Sequence, residues 1–445
     1  MMASSSLKVD IPPRVVGMIF VHLAAILFCA FRLNVAWLTS PDWPINPAAV
    51  AEAGPNGRSE VWLNSALDAQ RNGGFLMVTL PDGRFPIEAI SPATDLGIPC
   101  LAGMLAHVVS STMTLSSLAR INLCINAAGV LILYAIILMT GMSATAWVVL
   151  MAGAWLGIPG PVPSADATSS FFGATVFAAA APVGAAIAVG ACKPRNRRLG
   201  AAASVVSLAA ATMLREAYAL PSLLAMAWSW LGLARWPMPV GRLTRWAGLA
   251  VCSALAVGGP RAVVSLRDRL YDVSGRDHMA THGVSHALYL GLGTEPNRWN
   301  IRWDDRVAMA AVDQKSRGKA VFGTTAYYDV ARSLYFDIVR RFPRDVASVY
   351  GRKAWRMLNL PVRLAGVPVF WVFGVSVLVM LALPDADRAP AGWILEPLSV
   401  YVMLLFVEGI LIIPRSIFFY PLSYLMITLV ATLMETTFRR PGADR

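Results

Sequence analysis

The sequence predicts an all-α polytopic membrane protein, and three observations carry that prediction. The 445-residue chain is 56% hydrophobic and only 14% charged, with a mean hydropathy of +0.57, far more apolar than a soluble globular chain. Its apolar runs have the length of helical spans, roughly 20 residues, and they lack the alternation of barrel strands. Finally, much of the formal +12 charge lies in short loops between runs. Lys193, Arg195, Arg197 and Arg198 form one such cluster and Arg235, Arg242 and Arg245 another. With Lys8, Arg14, Arg439 and Arg440 they mark the cytoplasmic side by the positive-inside rule. The charge therefore reports topology, and nucleic acid is excluded as a partner.

From the N-terminus, the first apolar run at about 15–38 continues to Arg32 and Trp37 without a small-residue cleavage site, so it reads as an uncleaved anchor. Further spans fall near 118–141, 143–159, 169–192, 199–214, 217–234, 244–260, 367–384, 392–413 and 415–435, about ten crossings in all. Both termini are then cytoplasmic. Two long polar stretches, 39–117 and 261–366, share the outer side, and residues 367–445 supply the last spans and a cytoplasmic tail. Residues 1–260 form the N-terminal module and 261–366 a small, mainly helical outside domain. The cysteines Cys29, Cys100, Cys124, Cys192 and Cys252 show no metal-type pairing, so neither a disulfide nor a metal is predicted from them.

In the first outside stretch, Pro41, Pro44, Pro47 and Pro55 give an extended entry, and Ser59–Gln70 reads as a short amphipathic helix ended by Asn72-Gly73-Gly74. Val61, Trp62, Ala66 and Leu67 recur at helical spacing, which predicts a helix lying along the membrane interface. A second element runs from Leu96 to about Val109, too short for a span.

The late stretch contains His278, His282 and His286 at i, i+4, i+8 spacing, but Gly283 interrupts that helix and no cysteine completes a metal set. A polar loop is the preferred reading, with His286 nearest an ordered element. Gly291-Leu292-Gly293 lacks the third glycine and the strand–helix context of a nucleotide fingerprint. Asp304-Asp305 either caps the following helix or binds a divalent cation, with capping preferred. No other cofactor is implied. From Thr325 to Leu358 aromatic and basic residues interleave; an outside location rejects RNA binding and favours an interfacial helix attracting anionic lipid.

Several stretches resemble a family. The anchor span, Ser59-Glu60-Val61-Trp62-Leu63, Gly73-Gly74-Phe75, and Pro92-Ala93-Thr94-Asp95-Leu96-Gly97-Ile98-Pro99 follow one another in an order similar to GT-C glycosyltransferases. The similarity is to bacterial members related to protein mannosyltransferases and the lipid A aminoarabinose transferase. Thr212-Met213-Leu214-Arg215-Glu216-Ala217-Tyr218 is similar to the leucine-arginine stretch these enzymes carry between middle spans. The family commonly has two adjacent acids where this chain has Ser59 and Glu60.

The resemblance implies a sugar donor linked to a polyprenyl phosphate, a glycan or lipid acceptor, and a site at the outer face of a bacterial cytoplasmic membrane. Such a site needs a carboxylate to deprotonate the acceptor and cations for the donor phosphate. Glu60 is the first candidate for general base and Asp42, in Ser40-Pro41-Asp42-Trp43-Pro44, the second. The competing readings are a helix-dipole acid and turn chemistry, respectively. Arg215, Arg415, His286 and Asp95 are candidates for substrate binding. Arg215 with Glu216 reads equally as a boundary ion pair, and Arg415 as a snorkelling anchor with Glu408 as its partner. An O-antigen ligase or polymerase type enzyme and a non-catalytic transporter or membrane component are the alternatives. A missing internal repeat argues against transport.

Overall fold

The computed structural model describes residues 13–39, 58–80, 83–87, 96–108, 112–158, 171–191, 193–231, 240–273, 283–382, 391–412 and 421–438. Among them the chain is helical almost throughout. The N-terminal helices are α1 (Pro13–Thr39), α2 (Arg58–Asn72), α3 (Gly97–Ala106), α4 (Leu115–Met139), α5 (Ser143–Leu156), α6 (Phe171–Gly190), α7 (Pro194–Leu214), α8 (Glu216–Trp230) and α9 (Arg242–Leu270). They are followed by α10 (Val284–Gly291), α11 (Asp305–Ser316), α12 (Thr325–Arg341), α13 (Pro343–Leu358), α14 (Val369–Ala382), α15 (Gly392–Leu411) and α16 (Leu422–Phe438). Two antiparallel hairpins, β1 (Met77–Leu80) with β2 (Gly83–Pro86) and β3 (Arg363–Leu364) with β4 (Val367–Pro368), are additions to the all-α expectation. Among the described residues, five helices are long and apolar enough to cross a membrane: α1 over Val16–Val35, α4, α6, α9 and α15. The shorter helices α3, α5, α14 and α16 are also apolar. The protein is an all-α membrane protein.

α6 is the axis of the bundle, with every residue from Phe171 to Gly190 buried. Its alanine- and glycine-rich sequence lets α7 approach closely. A Cβ on Gly184 would lie 2.9 Å from the Gly200 carbonyl oxygen, and one on Gly200 2.8 Å from that of Gly184, the small-residue packing that substitutes for hydrophobic driving force in lipid. Pro182 interrupts α6 and cannot donate to Ala178. Ser222 of α8 donates to that freed carbonyl at 2.7 Å, while Ser204 of α7 and Trp230 of α8 donate to Ala181 and Ala185. The proline thus becomes a cross-link between helices.

Contacts at the helix termini fix which ends lie together. At one end Trp393 of α15 packs on Gly190, Asn196 donates to the Met139 carbonyl, and Glu435 of α16 accepts from Thr145 in the first turn of α5. Lys193, Arg195, Arg197 and Arg198 belong to this end, the last three inside the first turns of α7 rather than in a loop. At the other end Gly97 of α3 meets Met213 and Leu214 of α7, and the Arg215 guanidinium lies 3.6 Å from the Phe171 ring centroid. α9 continues past Pro260 to Leu270, so it crosses the boundary drawn at 260/261 without a break.

Both polar stretches belong to this second end. The first contributes α2, the β1–β2 hairpin and α3. Val61, Trp62 and Ala66 of α2 are buried in the main apolar core rather than turned to lipid. This corrects the interfacial expectation: α3 and β1 cover that face, so its periodicity records protein packing. The late stretch folds as α10–α13, and Lys353 of α13 anchors it to the end of α15.

Candidate functional site

The first polar stretch is organised around Asp68, a buried carboxylate on α2. It accepts from Thr79 on β1 and from Asn72 at 2.8 Å, and pairs with Arg84 on β2 at 3.4 Å. Gly73, at φ +66°, ends α2 in the left-handed region, and Gly74 passes so close to Asp68 that a Cβ there would collide with its carboxylate. The resulting turn is read by Tyr271, just beyond α9. Its hydroxyl donates to the Gly73 carbonyl and accepts from the Phe75 amide, both at 2.8 Å, with Arg84 over its ring. Tyr271 therefore joins the first stretch to the start of the second, a junction the sequence left open.

Beneath this platform α3, α4, α6 and α7 enclose a groove of about 800 Å³. α3 contributes Gly97, Cys100, Leu101 and Met104; α4 contributes Ser117, Arg120 and Cys124; Phe177, Met213 and Leu214 close it. The lining is almost wholly apolar, and Arg120 is the charged residue among the groove's lining residues. Leu214, the residue before Arg215, is also among its lining residues.

Arg215 sits at the break between α7 and α8 with extended backbone angles, φ −159° and ψ 104°. Its charge acts on Glu408 of α15, whose Oε2 is buried without a hydrogen-bond partner among the described residues. Tyr401, two turns earlier on α15, lies within electrostatic reach of Glu408 and Tyr218, and its buried hydroxyl is also without a hydrogen bond among the described residues. Glu216 instead feels Arg261 of α9. Among the described residues, the charges acting on these two acids come from different helices, Arg215 on Glu408 and Arg261 on Glu216. Arg415, the partner expected for Glu408, lies outside the described residues.

In the late stretch His286 is a packing residue. It is 3% exposed, with Nδ1 2.9 Å from the Tyr327 hydroxyl and Nε2 3.1 Å from Asp305. A loop histidine touching the substrate is the expectation; the helix starting at Val284 turns it into the α10–α11–α12 interface instead. Asp304 accepts from the Arg306 amide at 2.9 Å, the capping expected of it, whereas Asp305 serves His286. Lys353 is fully buried, and its Nζ donates to the carbonyls of Gly291, Leu411 and Ile412 at 3.0, 3.1 and 2.8 Å. Burial pushes its pKa down to about 7, with Glu295 pulling the other way.

Of the candidate site residues, Glu60 lies in the first turn of α2, partly exposed, where the helix-dipole reading also puts it. Arg215 adjoins the groove. Asp42, Asp95 and Arg415 lie outside the described residues, as do His278 and His282. Arg120, Tyr271 and Lys353 escaped sequence reasoning. An arginine inside the apolar run 115–139 was a legible signal for the first; Lys353 was one cation among many on a basic helix. No family model matches this chain, and no significant similarity links it to a curated protein or a solved structure.

Proposed function

We propose that this chain is a glycosyltransferase that moves a sugar from a polyprenyl-phosphate-linked donor to a glycan or lipid acceptor at the outer face of a bacterial cytoplasmic membrane. The observation that carries the reading is the groove. An apolar slot between membrane helices, with Arg120 in its wall and Leu214, the residue before Arg215, among its lining residues, has the chemistry of a prenyl chain joined to a phosphate. Gly97, Cys100, Leu101 and Met104 of the first polar stretch line it, and the positive-inside rule reads that stretch as outside, opposite the Lys193–Arg198 cluster. α1, α4–α9 and α14–α16 account for ten crossings with both termini inside, and α10–α13 form the outside domain. Glu60 on the platform is the candidate base for the acceptor hydroxyl. An inverting transfer follows naturally from a single attack on the anomeric carbon.

The test uses purified full-length protein in detergent with a panel of polyprenyl-phosphate sugars and cell-envelope glycans. Turnover is expected with one donor class, and Glu60→Gln is expected to lose it while retaining donor binding. The native thiols Cys100 and Cys124 line the groove, so a prenyl phosphate should slow their alkylation by a maleimide. Absence of both turnover and protection with every prenyl phosphate overturns the proposal.

A further inference from the structure

A second groove, of about 640 Å³, shares no lining residue with the one assigned to the donor. α16 lines it with one helical face, from Ile427 to Phe438, while α5 adds Ala144 and Val148 and β3 adds Leu364. Met434 and Phe438 on that face are 54% and 76% exposed, so the groove lies at the surface of the bundle, open to the lipid around it. Its length suits one leaflet. Ile427 to Phe438 rises about 16 Å along the helix axis, and half of a hydrocarbon core about 30 Å thick is about 15 Å.

One lining residue is charged. Glu435 stands in the last turn of α16, and its Oε2 accepts from the Thr145 amide in the first turn of α5 at 2.7 Å, where the helix dipole favours an acid. Among the described residues that amide is its hydrogen-bond partner. Neither α5 nor α16 carries another charged side chain, so these two helices offer its second oxygen no cation. A carboxylate accepts hydrogen bonds and donates none, and in an apolar wall it favours a ligand that brings a charged donor. This end of the bundle is also the one where Asn196, within the Lys193–Arg198 cluster, meets the Met139 carbonyl. By the positive-inside rule it is the cytoplasmic end. An acid in the groove and cations at the same end match a headgroup that holds both an ammonium and a phosphate.

We infer that the α5–α16 groove binds a phospholipid of the cytoplasmic leaflet whose headgroup carries a primary amine, with one acyl chain along α16 and the ammonium donating to Glu435. No covalent bond changes. The primary amine matters because its N–H groups can reach the free carboxylate oxygen, whereas a trimethylated ammonium has no hydrogen to donate. The inference does not depend on the transferase reading, since it uses the other groove and the other leaflet.

The experiment adds phosphatidylethanolamine, phosphatidylcholine or phosphatidylglycerol with identical acyl chains to delipidated full-length protein in detergent and counts retained lipid by native mass spectrometry. Wild type should retain the ethanolamine lipid at least about fivefold better than the choline lipid, the worth of roughly one hydrogen bond from a charged donor. Glu435→Gln should bring that ratio close to unity. Ala431→Phe, which fills the groove, should lower retention of both. Equal retention of the ethanolamine and choline lipids by wild type overturns the inference, even if a variant fails to fold. It is also overturned by an unchanged ratio in Glu435→Gln, by unchanged retention in Ala431→Phe, by glycerol lipid retained as well as ethanolamine lipid, or by a lipid-free dimer.

Discussion

The stretch built from α2, β1–β2 and α3 buries Val61, Trp62, Ala66 and Leu76 in the same apolar core as the membrane helices. The stretch built from α10–α13 instead closes small cores of its own, one around Tyr289, Leu290 and Leu292 and another around Tyr327 and Tyr328. The first is therefore continuous with the bundle and supplies a wall of the groove. The second is a cap, joined where Met357, Leu360 and Val362 enter the main core and where Lys353 grips the end of α15. Similar hydropathy gaps produced two different attachments, because only the first places its apolar residues on a face that α4 and α7 can cover.

The sharpest way to break this contrast is Lys353→Ala. Three carbonyls lose their shared donor, at about 1–3 kcal/mol each, so we expect a loss of more than about 3 kcal/mol. Hydrogen exchange should rise over α10–α13 and the end of α15, while α2 and α3 stay protected. Uniform deprotection would erase the distinction between cap and platform. Asp68→Ala is the complementary perturbation. It removes the acceptor of Thr79 and Asn72 and the partner of Arg84, for about 2 kcal/mol, and should loosen β1–β2 without exposing the cap.

A smaller effect sharpens the same comparison through pH. The folded pKa of Lys353, about 7, lies below the ordinary lysine value of 10.5. Between those values the unfolded chain binds more protons than the folded one, so the Lys353 contribution to stability rises with pH across that window. The difference in melting temperature between wild type and Lys353→Met should widen from pH 7 to 10; a constant difference contradicts the shift. Last, Tyr327→Phe removes one hydrogen bond to His286 and should destabilise the cap by about 1 kcal/mol. If it also changes donor turnover, His286 has a role at the site after all.

Much of this molecule is legible in the order of its residues. Apolar runs and cation clusters specify membrane helices, Asn72-Gly73-Gly74 ends α2 at Asn72 as read, and the polar interruption at Arg215-Glu216 marks the break between α7 and α8. Asp304 before Asp305 announces a helix cap. Each of these depends on neighbours within a few residues, where backbone geometry and solvation act locally.

What the tertiary structure decided is which polar group meets which. Periodicity showed that α2 has an apolar face but not whether lipid or protein covers it. Arg215 had Glu216 beside it in sequence, yet its charge acts on Glu408, from a helix nearly two hundred residues later. Lys353 looked like its arginine neighbours until its side chain was found between two helix ends. Amino-acid order alone determined the helices, the membrane class and the position of the break. The groove and its charges were set by long-range packing, because a buried charge takes its partner from whichever helix the close-packed core brings within reach.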